Sequence, residues 1–301
     1  MERMEINKSS VKINYKSIIL ISCITLLCIF ILSIICVSYD KNTEPENVEV
    51  IEPEMGYYIT TSNKEKEYEI NPNAARHPYN LDLFISDGLD ISYEGDANFT
   101  TRKGVDVSKW QGDVDWKKVK AAGYEFAYFR LGYRGYQQGG LFVDSTLDQN
   151  MVNAGKEGFD IGVYFFSQAI SEEEAIEEAY FVLNELNNYD VQLPVVYDPE
   201  FVYAHDSRTK DLSSEQIMKN IKAFCDVIEN AGYETMVYAS MYWEADILDM
   251  GELKDYSIWY ADYMEKPQTP YDFKFWQYSD TGRVDGIDGN VDLNIQFIPS
   301  E

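Results

Sequence analysis

The apolar positions fall into three textures along the chain. From Ser17 to Val37 they form an unbroken run of about 20 residues without a charge, the length an α-helix needs to cross the hydrocarbon core of a bilayer. Arg3, Lys8, Lys12 and Lys16 precede it, and a Lys/Arg excess marks the cytoplasmic flank. The run exceeds the 7–15-residue apolar core of a secretory signal, and no small-x-small cleavage pattern comes after it. We therefore expect a cytoplasmic tail (1–16), an uncleaved signal anchor (17–38), and everything beyond it outside the cytoplasm.

The second texture, residues 39–102, has no sustained periodicity. Residues 40–101 carry 14 Asp or Glu against 4 Lys or Arg, too polar to fold alone, so the expectation is a solvated acidic stalk. Leu81, Leu83, Phe84 and Ile85 leave open that its second half docks on the domain beyond Lys103.

From Lys103 onward, short β-rich runs alternate with helical patterns, which implies βαβ units and a parallel sheet. Strands are expected at Gly104–Val107, Glu125–Leu131, Ile161–Phe166, Pro194–Asp198, Thr235–Ala239, Ser257–Ala261, Lys274–Tyr278 and Asn290–Ile295. Eight is the number that closes a (β/α) barrel. Ser171 with Glu174, and Ser213 with Gln216, are helix-start signatures, each followed by an apolar stripe; Gly232 closes the second. Cys225 lies on that stripe and reads as a small core hydrophobe. After Ala245 the helical pattern fades, and Pro267 and Pro270 leave little room for a helix between the sixth and seventh strands. The fold class expected is α/β, an irregular barrel of about eight strands.

Charge narrows the partners. A net charge of −27 excludes a phosphate-backbone ligand, which needs clustered Lys and Arg. The other three cysteines, Cys23, Cys28 and Cys36, all lie in the apolar run, so Cys225 has no disulfide partner beyond it.

The chemistry sits at strand ends. The fourth strand stops at Asp198-Pro199-Glu200, where proline cannot extend a ladder, so both acids belong to the mouth of the barrel. On spacing alone, a solvated loop with two acids reads equally well. Asp106 in the first strand and Asp292 in the last alter that balance, because a carboxylate in an apolar strand is costly unless paired or functional, and first and last strands adjoin in a closed barrel. Four convergent carboxylates suit either a hard cation or glycoside hydrolysis. Only His77 and His205 exist, which argues against a His-rich zinc site or a His-activated nucleophile. Aromatic residues crowd the same strand ends: Tyr164, Phe166, Tyr197, Tyr238, Trp259, Tyr260, Trp276 and Tyr278. They favour sugar stacking over metal binding, although alternation along a strand must send half of them into core.

The run Gly104-Val105-Asp106-Val107-Ser108-Lys109-Trp110-Gln111-Gly112, the Asp198-Pro199-Glu200 pair, Trp259-Tyr260-Ala261, Trp276-Gln277-Tyr278-Ser279 and Gly289-Asn290-Val291-Asp292-Leu293-Asn294 together resemble glycoside hydrolase family 25 from about Lys103 to Phe297. The resemblance implies a flattened (β/α)5(β)3 barrel over residues 103–301 and a lysozyme that cleaves the β-1,4 bond between N-acetylmuramic acid and N-acetylglucosamine. It implies Glu200 as general acid, Asp198 as partner carboxylate, Asp106 and Asp292 as further acids of the cleft, and no metal or other cofactor. The expected partners are peptidoglycan glycan strands and, through residues 17–38, the cytoplasmic membrane. The competing functions are a non-catalytic glycan-binding module and a component of a wall-associated complex on the same barrel. On this reading a chain starting at Lys103 stays active, and Glu200 is kept protonated by apolar neighbours such as Tyr197 and by the charges of Asp198 and Asp106.

Overall fold

The computed structural model describes residues 57–300 apart from 62, 63 and 89, all within one unit spanning Pro53–Glu301. The expected cytoplasmic tail, the membrane span and the start of the stalk lie outside the described residues. Among the described residues no helix is long and apolar enough to cross a membrane.

Two hairpins come first: β1 (Tyr57–Thr61) with β2 (Lys64–Tyr68), and β3 (Phe84–Asp87) with β4 (Asp90–Tyr93). A barrel comes next. β5 (Phe99–Val107) leads through α1 (Trp116–Ala121) to β6 (Phe126–Arg134), and then through the short β7 (Leu141–Val143) and α2 (Leu147–Lys156) to β8 (Asp160–Phe166). After these stand α3 (Glu172–Leu186), β9 (Val195–Asp198), α4 (Ser214–Asn230), β10 (Thr235–Ser240) and α5 (Met241–Asp246). The last strands, β11 (Ser257–Ala261), β12 (Phe275–Gly282) and β13 (Val291–Pro299), have no helices between them. Around the barrel the order is β5-β6-β8-β9-β10-β11-β12-β13, closing back on β5, so all eight expected strands form the wall.

The direction of one strand departs from the expected parallel sheet. β13 runs antiparallel to both β12 and β5, while the other wall pairings are parallel. Only residues 283–290 join β12 to β13, fewer than a parallel crossover needs, so the chain doubles back.

Helix ends obey the sequence signals. Ser171 Oγ accepts from the Glu174 N–H and Ser213 Oγ from the Gln216 N–H, and Gly232 takes the positive φ of +93° that ends α4. Ile217, Ile221, Phe224, Cys225 and Ile228 are buried beneath α4, and burial pushes the Cys225 thiol up to about 12, which leaves it an unreactive core group.

Inside the barrel, Phe126, Tyr128, Trp259 and Phe275 fill the lower layers, Tyr128 lying on Trp259 with centroids 4.7 Å apart. Gly104 and Gly162 leave room for them: a Cβ at either position would stand 2.2 Å from the ring of Phe126 or Tyr128.

The outer face of the helix-free arc is covered by the segment before the barrel, and here the expectation of a solvated stalk ending at 102 is corrected. β5 begins at Phe99, and Tyr79, Phe84, Ile91 and Tyr93 are buried in the main core. Tyr79 stacks on Phe297 at 4.0 Å and donates to the Phe273 carbonyl at 2.6 Å; Phe84 meets Trp276 edge-on at 5.2 Å. Arg76 bridges Tyr271, and the Asp272 N–H donates to the Ala75 carbonyl. The apolar outer sides of β12 and β13 need cover, and a few well-placed aromatics supply it despite the acidic average of the segment. A chain starting at Lys103 would lose Phe99–Arg102 of β5 together with Tyr79, Phe84 and Tyr93, and would uncover Phe273, Trp276 and Phe297 on the barrel, so the segment from Tyr79 onward is part of the fold.

Candidate active site

The strand ends converge on a cleft of about 240 Å3 at the C-terminal mouth of the parallel strands. Asp106, one residue from the end of β5, is 4% exposed and stands directly opposite Asp292 in the β5–β13 register. Because β13 is reversed, it delivers its acid from its first residues rather than its last, and the two carboxylates meet as the sequence predicts.

This pair is held in a closed network. Asp106 Oδ2 accepts from Gln277 Nε2 at 2.9 Å and from Asn294 Nδ2 at 2.8 Å. Both amides are oriented by donors to their carbonyl oxygens: the Trp259 indole N–H donates to Asn294 Oδ1 at 2.8 Å, and the hydroxyls of Tyr238 and Tyr263 donate to Gln277 Oε1 at 3.0 and 2.9 Å. Burial pushes the Asp106 carboxyl up, while Asn294, Gln277 and Asp292 draw it back down. Asp292 is pushed up to about 9, first by burial and then by the negative Asp106 beside it and their hydrogen bond. The two carboxyls are thus coupled through their hydrogen bond and mutual repulsion, and both are held above the ordinary carboxylate range.

On the opposite arc, β9 ends at Asp198, and Pro199 turns the chain so that Glu200 leaves the ladder and hangs at the cleft wall. Asp198 is 6% exposed, and no protein donor reaches its Oδ1. Its carboxyl is pushed well up by burial and then by the charges of Glu200 and Asp106, against the pull of Arg130 and the Glu200 N–H. Glu200 is raised to about 7, mainly by burial and then by Asp106. The Ser167 N–H anchors the Asp198 carbonyl at 2.8 Å, and Gln168 Nε2 donates to the Glu200 carbonyl at 2.6 Å. Arg130 on the cleft wall is locked by Asp144 Oδ2 through Nε at 2.8 Å and Nη2 at 2.6 Å.

Of the eight aromatics predicted for the cleft, Tyr164, Phe166, Tyr238 and Trp259 line it. The other four do not. Tyr197 faces the helical layer, its hydroxyl 2.7 Å from Ser167 Oγ and its ring against Phe224. The Tyr260 hydroxyl donates to Asp262, the Trp276 indole N–H to the Asp262 carbonyl, and the Tyr278 hydroxyl to Asp90. Parity decides each case: with Asp198, Trp259 and Gln277 facing in, their neighbours in sequence must face out. Tyr197 therefore does not hold the proton on Glu200; burial in the cleft and Asp106 do.

Sequence reasoning passed over Gln277, Asn294, Arg130, Tyr263 and Trp110 as site residues. Gln277 is flanked by two outward aromatics, Asn294 lies two positions from Asp292, and Arg130 is a charge inside an apolar strand, so each carried a readable signal. Trp110, 76% exposed with Lys109 Nζ 4.9 Å from its ring centroid, stands on the loop after β5 at the rim. His205 is an exposed loop residue. Among the described residues no group of three or more His, Cys, Asp or Glu side chains is placed to hold a metal ion. Asp106 instead spends its acceptor capacity on amide donors.

Residues 105–287 match the model of the glycosyl hydrolases family 25. The chain is similar to the autolytic lysozyme of Clostridium acetobutylicum, with 30% identity over 193 residues that cover 64% of this chain and 55% of that protein. It is also similar to lysozyme M1 of Streptomyces globisporus, at 29% identity over 221 residues covering 69% of this chain and 71% of that protein. The crystal structure of a lysozyme from Streptomyces coelicolor superposes with a TM-score of 0.53 at 27% identity, covering 64% of this chain and 90% of that one. The chain thus spans little more than half the length of the clostridial relative.

Proposed function

Because this chain belongs to glycosyl hydrolases family 25, we propose that it is a lysozyme that cleaves the β-1,4 bond between N-acetylmuramic acid and N-acetylglucosamine in peptidoglycan. The observation that carries the reading is the convergence of Asp106, Asp292, Asp198 and Glu200 on one aromatic-lined cleft, with Glu200 raised to about 7. An acid still protonated near neutral pH can give its proton to the departing glycosidic oxygen. Asp198 stands two residues away with an oxygen that no protein donor reaches. An acetamido N–H of the sugar at that oxygen would favour ionised Asp198, which then stabilises positive charge at the anomeric carbon or orients the acetamido group for attack. Burial in the cleft, and then the charge of Asp106, keeps Glu200 protonated. Tyr164, Phe166, Tyr238 and Trp259 give the sugar rings apolar faces.

The site of action in this proposal is the outer side of the cytoplasmic membrane, with residues 17–38 as a single-pass anchor and the N-terminus inside. The charge-free run and the basic residues before it support that orientation. Incubating the full-length chain with purified peptidoglycan and analysing the products by mass spectrometry tests the activity. Muropeptides with new reducing muramic acid ends are expected; binding without any new reducing end would instead identify a glycan-binding module. Protease added to intact spheroplasts should remove the barrel while sparing the tail, and a protected barrel would overturn the orientation.

A further inference from the structure

The β3–β4 hairpin precedes the family-matched residues, yet it is fixed beside the catalytic mouth. Phe84 and Tyr93 are buried, and Asp90 takes both the Lys103 ammonium at 2.6 Å and the Tyr278 hydroxyl at 3.3 Å. Between this hairpin and the loop after β11 lies a second hollow of about 190 Å3. Tyr263 lines both hollows, so this one adjoins the cleft at that residue. The same ring is tied to the carboxylate network through Gln277.

The hollow differs in chemistry from the cleft. Buried Ile91 and Tyr278 and the 40% exposed Met264 give it apolar surfaces, while Ser86, Glu265 and Asp280 supply hydroxyl and carboxylate oxygens, and no Lys or Arg lines it. A stacked sugar wants flat aromatic faces and neutral partners; an extended peptide carrying an ammonium group wants apolar contact with acceptors and negative charge at the edge. Resting on the lysozyme reading, we infer that this hollow is a side-branch subsite: it receives an amine-bearing peptide attached to the glycan whose sugars occupy the cleft. The peptide branches of peptidoglycan leave its muramyl sugars, so a branch from a sugar near Tyr263 has a short path into the hollow. The hairpin supplies one wall, which makes the preference a property of the segment before the barrel.

The test compares three glycan substrates for the full-length chain: one with peptide branches bearing a free side-chain amine, one with those amines acetylated, and one stripped of peptide. The free-amine form should show kcat/KM about fivefold above the acetylated form, the size expected of two partly exposed ion pairs. The E265Q/D280N double variant, with each rate taken relative to stripped glycan, should bring that ratio close to one. Equal kcat/KM for the amine and acetylated substrates in the wild type overturns the inference, as does a double variant that keeps the preference. Loss of cleavage on all three substrates would count against the lysozyme reading itself. The inference is then scored by calorimetric binding of the free disaccharide-peptides: an amine preference lost in the double variant supports it, and equal affinities overturn it.

Discussion

Asp106 and Asp198 are both buried carboxylates at the same mouth, yet their surroundings are opposite. On the β5–β13 arc, Asp106 is met by two oriented amides and by the Asp292 carboxyl, and those amides are themselves fixed by an indole and two phenols. On the β9 arc, Asp198 presents an oxygen with no protein donor, next to a glutamic acid raised to about 7. A completed polar network has little left to offer a ligand, whereas an incomplete one is costly until a ligand completes it. In the proposed mechanism the first arc thus sets the field and the second performs the chemistry.

The largest effect that can break this comparison is expected at Glu200. Glu200→Gln removes the proton donor and should lower reducing-end release by about three orders of magnitude, with an unchanged circular-dichroism melt. A variant at wild-type rate would return the acid role to another group. Asp198→Asn should come second, at about two orders of magnitude in kcat with little change in KM, since its oxygen acts on charge that develops during reaction.

A subtler test uses pH. Removing the charge of Asp106 with Asp106→Asn takes away a cause that raises both Glu200 and Asp292, so the alkaline limb of the kcat profile, near pH 7 in the wild type, should move to lower pH. The same groups bear on stability. Their folded values lie above their unfolded ones, so the native state holds the extra protons, and the stability they contribute is complete below about pH 4 and lost as pH rises toward 7 and then 9. Thermal melts should therefore fall across that window in the wild type and less steeply in Asp106→Asn; an identical slope in both proteins would sever the link between the arcs. The smallest effect is expected just outside the wall. Tyr260→Phe loses a hydroxyl bond to Asp262 and should cost about 1 kcal/mol of stability while leaving kcat within about twofold.

Much of this is legible in the chain alone, and the gaps have physical causes. Short β-rich runs between helical patterns reveal all eight wall strands, and the cost of an acid in an apolar strand singles out Asp106 and Asp292. The pattern of a strand reads the same in both directions, so the reversal of β13 is invisible there; the short link of residues 283–290 is the clue. Alternation says that half of the strand-end aromatics face away from the cleft but not which half. The inward positions of Asp198, Trp259 and Gln277 assign Tyr197, Tyr260, Trp276 and Tyr278 to the outer side and leave Tyr164, Phe166, Tyr238 and Trp259 in the cleft. Gln277 and Asn294 carry no charge, so their only signals are positional, between two outward aromatics and two residues from Asp292, while their importance lies in orienting a charge elsewhere. Averaging over an acidic segment conceals Tyr79, Phe84 and Tyr93, because cover for a barrel needs only a few rings at the right places.

The reversed final strand also bears on when the cleft can exist. The side chains that hydrogen-bond Asp106 come from positions 277, 292 and 294, the last of them 188 residues away along the chain. Closure of the wall therefore waits for the C-terminal strand, a long-range pairing expected to form late and slowly. Until then β5 and β12 are open edges able to pair with other chains, and the catalytic mouth has only one of its two arcs. Under the proposed function, a nascent or truncated chain ending before Val291 is thus expected both to aggregate and to lack hydrolytic activity, so that competence depends on completion of the fold.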